Sequence, residues 1–385
     1  TIPLMKRGGY KGHFAGAVEA VASCGGQFMP PIMGAAAFMI ATNCDVPYGT
    51  VAISAIIPAL LYYFYLFICL DMEAQKNGLI GLPAEELPSV LGALKKRGHM
   101  LIPLIVLIFT LVSGYSPGKS VFWSLVLLIV TASVSKTTRM GWKQIVHAIK
   151  NGVYSAAAVA IACACAGIIS GVISLTGLGL RFSSILIKLS GGNLLVLLVL
   201  TMLAAIIMGM GLPTSAAYVI LAVLTSPAMI ELGVQPLAAH FFIFFFACIS
   251  TITPPVALSA YAGAGIAGAD PMKTGWTAFA LGLAGYIVPF LVVYKPAIMM
   301  IGTPALPSVL DIFFSTVAVI SMTFTVCGFL SGKKLSPVLR VVFAGLSAMI
   351  FLNTPWWMDF VATCGIAVLW LLIHFRNKKA LAAAA

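Results

Sequence analysis

Apolar segments long enough to bridge a lipid bilayer recur along the whole chain, and that recurrence constrains it more than any motif. They cover residues 13–42, 51–70, 100–116, 120–135, 153–171, 193–209, 212–230, 238–268, 276–300, 308–330, 338–352 and 356–375. A spanning helix takes about 20 mainly apolar residues, so 385 residues hold roughly ten or more spans. Backbone groups in hydrocarbon must find partners within the segment, which makes these spans helices. The sequence therefore predicts an all-α polytopic membrane protein. Only 8% of the residues are charged, against roughly a quarter in soluble domains, and this excludes a soluble globular protein. The formal charge of +12 does not point to nucleic acid, because the Lys and Arg residues sit in short clusters between apolar runs.

Those clusters orient the chain. A polar loop over 71–99 carries Asp71, Glu73, Lys76, Glu85, Glu86 and Lys95-Lys96-Arg97, and a second basic loop over 136–150 carries Lys136, Arg139, Lys143 and Lys150. Excess Lys and Arg mark cytoplasmic loops. Two spans, 100–116 and 120–135, separate the loops, so both can lie on that side. Lys333-Lys334 and Arg376, Lys378, Lys379 are likewise two spans apart. Segment 172–190 is weaker, carries Arg181 and Lys188, and is predicted to lie along the interface. The chain starts at Thr1 near a charged cluster and shows no signal peptide; Ala380 to Ala385 reads as a tail. The eight cysteines lie mostly in apolar stretches and read as small buried hydrophobes; Cys163 and Cys165 point apart on a helix, and no C-x-x-C pair suggests a metal.

The chain also repeats itself. A shift of 224 residues places Thr1, Pro3, Met5, Gly9, Cys24, Pro30-Pro31, Pro47 and Thr50 on Thr225, Pro227, Met229, Gly233, Cys248, Pro254-Pro255, Pro271 and Thr274. Residues 1–50 match at 11 positions, or 22%. The charges swap instead of matching: Lys6, Arg7 and Lys11 face Ile230, Glu231 and Gln235, while Gly49 faces Lys273. The two copies are thus predicted to cross the membrane in opposite directions, as in many secondary transporters. The organisation that follows is a first repeat over 1–70, a cytoplasmic loop with connecting spans over 71–152, a second repeat over 153–305, and a C-terminal extension of about three spans over 306–385. In the second copy, 193–209 and 212–230 meet at MGMGLPTSAAY, which reads as a re-entrant hairpin with its tip at Gly209 to Ser215. The first copy's counterpart would have its tip upstream of Thr1.

Each copy contains a broken helix. The first reads Ser23-Cys24-Gly25-Gly26-Gln27-Phe28-Met29-Pro30-Pro31 and the second Ser250-Thr251-Ile252-Thr253-Pro254-Pro255. Two successive prolines open a helix, and open backbone at membrane depth is tolerated where it lines a cavity or is buried in protein. Freed carbonyls with Ser, Thr and Gln oxygens suit a hard cation such as Na⁺, and the next half-helix offers N–H groups to an anion. The alternative is a pair of kinks whose carbonyls are satisfied internally. Glu19 precedes the first break and is either functional, a partner for His13, or part of a polar face. His240 reads as structural, and Asp45, Glu231, Asp270, Asp311 and Asp359 lie near segment ends and read as wet. Gly263-x-Gly265-x-x-Gly268 lacks a βαβ unit, so close helix packing replaces the dinucleotide reading. No hydrolase motif or P-loop is present, and the chain does not read as an enzyme.

The stretches TIPLMKRGGYKGHFAGAVEAVASCGGQFMPPIMGAAAFMIA and MGMGLPTSAAYVILAVLTSPAMIELGVQPLAAHFFIFFFACISTITPPVALSAYAGAGIAGADPMKTG resemble the large membrane subunit of tripartite ATP-independent periplasmic (TRAP) transporters. The fit is to fused permeases of the TAXI subclass, over about residues 1–305, with 306–380 similar to a C-terminal extension of some of them. The resemblance implies an N-terminally truncated inner-membrane permease, whose fused small subunit would lie upstream. It further implies Na⁺ symport of small organic anions, usually carboxylates such as dicarboxylates, an elevator mechanism, and delivery by a periplasmic substrate-binding protein. Carried over by position, Gly209, Gly211, Pro213, Thr214 and Ser215 at the tip would gate substrate and help bind Na⁺. Ser250, Thr251, Thr253 and Pro254 in the second break would complete the site, with Ser23, Gly25, Gly26, Gln27 and Pro30 in the first. No cofactor beyond the coupling ion is implied, and individual Na⁺ ligands are not assigned. Two alternatives stay open: a Na⁺/carboxylate carrier that needs no binding protein, and a channel.

Overall fold

The computed structural model describes residues 1–79, 81, 89–135, 138–301, 304–330, 332–352 and 355–382. Glu85, Glu86 and Lys136 of the predicted loops lie outside the described residues. The described chain consists of helices joined by turns and breaks, with one pair of two-residue strands, β1 (Phe329–Leu330) and β2 (Lys333–Lys334). Seven helical segments are long and apolar enough to cross a membrane among the described residues. The chain is an all-α polytopic membrane protein.

The repeat is visible in the backbone. Helix α1 (Ile2–Arg7) leads into α2 (Gly12–Gly25), a break, α3 (Ala35–Asn43) and the long α4 (Tyr48–Lys76). In the second copy α12 (Pro236–Ile249) leads into a break, α13 (Leu258–Ala267), α14 (Pro271–Leu281) and α15 (Leu283–Tyr294). The bounds of α2 and α12 differ by 224 at both ends. So do the positive-φ turns Gly9 (φ 92°) and Gly233 (φ 88°), the left-handed Met33 and Ala257, and the two cis peptides Pro30-Pro31 and Pro254-Pro255. The copies depart where α4 runs on through Pro58, whose counterpart Gly282 separates α14 from α15.

The two broken helices pack antiparallel. Gly16 and Gly263 meet so closely that a Cβ on Gly16 would lie 2.8 Å from the Gly263 carbonyl oxygen. Gly12, at the start of α2, lies against the Ala267 carbonyl at the end of α13. Lys6 Nζ donates to that same carbonyl at 2.8 Å. The G-x-G-x-x-G stretch is thus a packing seam: Gly263 makes the contact and Gly268 (φ 62°) ends α13. Beneath it lies one large core in which Phe241, Phe242, Phe244, Phe245 and Phe246 of α12 are fully buried with Tyr62 and Tyr65 of α4.

The intervening segment differs in detail from its prediction. Part of the 71–99 loop is helix α5 (Val90–Arg97), capped by Ser89. The apolar run at 100–116 yields a short turn and then α6 (Ile102–Val112), whose 11 residues fall short of the about 20 a span needs. Hydropathy extends beyond the helix because Gly114 (φ 84°) turns the chain towards α7 (Pro117–Val134). His99 beside α6 and Thr138 beyond α7 lie 3.3 Å apart, so the two flanking loops meet at one end of the α6–α7 pair. Lys143 and Lys150, predicted in a loop, stand on α8 (Trp142–Thr176), which extends about 50 Å. Helix α9 (Leu178–Ser190) follows after Gly177 (φ 67°).

The hairpin consists of α10 (Leu194–Gly209) and α11 (Thr214–Glu231). Helix α9 seals against it: Ser183 donates to the Leu224 carbonyl at 3.0 Å. The C-terminal helices α16 (Ala305–Cys327), α17 (Pro337–Phe351) and α18 (Trp356–Ala382) form a second core that also takes in Met72 of α4. Asp359 was expected to be wet. It is 2% exposed and paired at 2.5 Å with buried Lys295, just beyond α15. A carboxylate there is tolerable because the partner neutralises it, and the partner is 64 residues away in sequence.

Candidate functional site

The hairpin tip and the second break are in direct contact. Gly209 ends α10, and a Cβ there would fall 2.5 Å from Ser250 Oγ and 2.8 Å from Ser250 Cβ. Only glycine lets the tip approach that closely. Since Ser250 stands where α12 stops, the hairpin reaches to the depth of the break. Within the tip, Gly211 (φ 88°) turns the chain and Pro213 is the N-cap of α11. Ser215, in the first turn of α11, is buried with its Oγ 3.3 Å from Cys163 Sγ of α8. Thr214 is half-exposed and Gly211 and Pro213 are exposed; Thr214 makes no side-chain hydrogen bond among the described residues.

The second break carries its own hydroxyls. Ser250 Oγ donates to the Ala247 carbonyl at 2.8 Å and Thr251 Oγ1 to the Cys248 carbonyl at 2.8 Å. Thr253 Oγ1 lies 2.7 Å from the Ile249 carbonyl and 2.5 Å from the Tyr286 hydroxyl. The last carbonyls of α12 therefore have partners, as internally satisfied kinks require. Yet each donating hydroxyl keeps oxygen lone pairs, so three oxygens remain grouped around one helix end. Beyond Pro254, the Pro255 carbonyl accepts from Tyr261 at 2.6 Å.

The first break is built differently. A Cβ on Gly25 would lie 2.7 Å from the Tyr62 ring. Tyr62 donates to the Val21 carbonyl at 2.8 Å and Tyr63 to the Ala22 carbonyl at 2.7 Å. After Pro30, the Tyr48 hydroxyl is 2.7 Å from the Pro31 carbonyl and 2.8 Å from that of Ile32. Ser23 and Gly26 are exposed, and Ser23 makes no side-chain hydrogen bond among the described residues. The two breaks touch at their repeat-related cysteines: Cys24 Sγ donates to the Cys248 carbonyl at 3.3 Å, and Cys248 Sγ faces Gln27 Oε1 at 3.7 Å.

The structure thus joins Gly209 to Ser250 and Gln27 to the second break, and leaves Ser23, Gly26, Gly211 and Thr214 without such links. Glu19 is half-buried and has no ion-pair partner among the described residues, so the His13 pairing does not form. His240 is buried, with Nδ1 2.8 Å from the Tyr218 hydroxyl, which in turn accepts from Asn43 Nδ2 at 3.2 Å. Asn43, Ser226 and His240 also line a cavity of about 430 Å³ beside α11. Sequence reasoning missed the tyrosines. Tyr62 and Tyr286 obey the 224-residue shift, and extending the alignment past residue 50 finds them. Cysteines carry more than packing: Cys24, Cys163 and Cys248 make polar contacts here, while Cys165 and Cys364 are exposed. No cluster of metal-ligating His, Cys, Asp or Glu occurs among the described residues.

Comparison with known proteins adds two findings. The family model for the DctM component of the tripartite ATP-independent periplasmic transporter matches residues 1–307. A curated relative, the isethionate TRAP transporter permease protein DctMQ of Oleidesulfovibrio alaskensis, is 22% identical over 303 residues. The matched region is 78% of this chain and 47% of that relative, so the chain spans about half the relative's length.

Proposed function

This chain belongs to the family of DctM components of tripartite ATP-independent periplasmic transporters, and we propose that it moves small organic anions inward across the cytoplasmic membrane in symport with Na⁺. The observation that carries the proposal is the seating of Gly209, at the hairpin tip, on Ser250 in the second break. A tip of this kind can open and close over the hydroxyl oxygens of Ser250, Thr251 and Thr253. Three hydroxyls with neutral surroundings favour a hard monovalent cation over a transition metal. A bound Na⁺ offsets the charge of an anion, and each net positive charge moving inward gains about 2.3 kcal/mol per 100 mV of membrane potential.

Coupling requires that cation and anion both prefer the closed tip, since a ligand shifts an equilibrium only by its differential affinity. The antiparallel repeats offer a transport domain able to present the site to either side, in an elevator movement. A periplasmic binding protein would deliver the substrate, in keeping with the tripartite family. A small membrane subunit joined upstream is in keeping with the composite name of the relative, DctMQ. That relative is named for isethionate, itself a small organic anion, so carboxylates and sulfonates are both to be tested.

The test is uptake of labelled carboxylates and sulfonates into proteoliposomes, with the full-length permease and its binding protein, with and without an inward Na⁺ gradient. Uptake that needs both Na⁺ and binding protein is the expected result. Uptake with Na⁺ alone would discard the partner and keep the carrier. Flux that neither saturates nor follows the Na⁺ gradient would overturn the reading in favour of a channel.

A further inference from the structure

The C-terminal helices, which lie beyond the family match except for the first three residues of α16, separate their charges by end. Their acids, Asp311 and Asp359, stand near the start of α16 and the start of α18. Asp359 is held by Lys295. Some 25 Å away along the helices, a cavity of about 430 Å³ lies between the β1–β2 hairpin, the start of α17 and the end of α18. Lys333, Lys334 and Arg376 line it, all exposed. None of the three forms an ion pair among the described residues, where the ion pairs are Lys76–Glu73 and Lys295–Asp359. Arg340 is nearby in sequence but committed: Nε and Nη2 donate to the Thr325 and Val326 carbonyls at 2.7 and 3.2 Å, capping α16.

Two further features complete the cavity. Ser336, the N-cap of the 15-residue α17, is in its wall, so the positive end of a helix faces the same space. The rest of the lining is apolar: Leu335 is 9% exposed, and Leu339 and Ile373 continue into the core of the C-terminal helices. Three cations around an apolar floor fit an amphiphile better than a fully hydrated anion. The site lies at the ends of α16 and α18, both long and apolar enough to span, and cation-rich ends face the anionic cytoplasmic leaflet.

We propose that this cavity binds the phosphodiester headgroup of an anionic phospholipid of the cytoplasmic leaflet, with Lys333, Lys334 and Arg376 holding the phosphate and Leu335 and Leu339 receiving the start of the acyl chains. The site is independent of the transport reading, and its test does not use transport. The full-length permease is reconstituted in phosphatidylcholine vesicles containing a minority of phosphatidylglycerol. Lipid retained on purification is quantified by mass spectrometry. Phosphatidylglycerol is expected to be enriched over its share of the vesicle. Lys333→Gln, Lys334→Gln and Arg376→Gln should each lower the enrichment roughly fivefold, the equivalent of about 1 kcal/mol per cation at an anionic surface, and the triple variant should abolish it. The three side chains are exposed, so the triple variant should keep the parent's melting temperature. A control with Lys119, Lys143 and Lys150 changed to Gln should keep the enrichment. Enrichment that survives the triple variant, or falls equally in the control, overturns the proposal. Inorganic phosphate that displaces the lipid at millimolar concentration would reassign the site to a soluble anion and also overturn it.

Discussion

The two breaks share a backbone path and differ in who supplies the hydrogen bonds. At the first, the carbonyls of Val21, Ala22 and Pro31 accept from Tyr62, Tyr63 and Tyr48, all on α4. At the second, the carbonyls of Ala247, Cys248 and Ile249 accept from Ser250, Thr251 and Thr253 of the break itself. A tyrosine from a neighbouring helix fastens the first break to α4. At the second break short hydroxyls take the carbonyls, and the tyrosine of the neighbouring helix, Tyr286 on α15, meets the Thr253 hydroxyl instead of the backbone. The repeat therefore specifies a fold twice, while the substitutions within it tie the first break's backbone to α4 and leave the second break's carbonyls to its own hydroxyls.

The largest effect should come from forcing the tip off the second break. Gly209→Ala places a Cβ against Ser250, and overpacking of this kind costs about 1–3 kcal/mol. Na⁺-driven uptake should fall about tenfold or more, with the protein still inserted and folded. Ser250→Gly added to Gly209→Ala removes the clash and should restore tip closure, read as protease protection of residues 210–213. If the double variant is as exposed as the single one, the tip does not close on Ser250 and the contact has no gating role.

Next is Thr253→Val, which keeps the shape and removes the hydroxyl shared with Tyr286. The Na⁺ concentration for half-maximal uptake should rise about fivefold, in line with loss of roughly 1 kcal/mol. The repeat-related position at the first break is Met29, and Met29→Leu should leave that concentration unchanged. Equal shifts in both variants would erase the distinction between the breaks.

Much of this pattern was legible in the sequence, and the limits are physical. Periodic prolines and a 224-residue shift reveal the repeat because proline and positive-φ glycine report directly on backbone shape. The tip at Gly209 to Ser215 is legible for the same reason. The tyrosine fastenings are not, since Tyr62 and Tyr63 are unremarkable in an apolar helix until α4 folds against the first break. The burial of Asp359 is not legible because its partner, Lys295, follows α15 and lies 64 residues away in sequence. The 100–116 run misled on span length because hydropathy records apolar content, whereas Gly114 ends the helix.

The tyrosine pair Tyr62 and Tyr286 sharpens the comparison at smaller magnitude. Tyr62→Phe removes a donor from the Val21 carbonyl, buried in the core, and should lower stability by about 1 kcal/mol, read as a reduced melting temperature. Na⁺ dependence should be unchanged, because that hydroxyl bonds the Val21 carbonyl and none of the second break's oxygens. Tyr286→Phe removes the partner of Thr253 Oγ1, which keeps its bond to the Ile249 carbonyl. Stability should change less, while the Na⁺ concentration for half-maximal uptake should shift about threefold, within the range of a single neutral hydrogen bond. The two phenylalanine variants are chemically identical and occupy equivalent places in the repeat. A difference between them therefore cannot arise from the substitution itself and must come from what each hydroxyl holds.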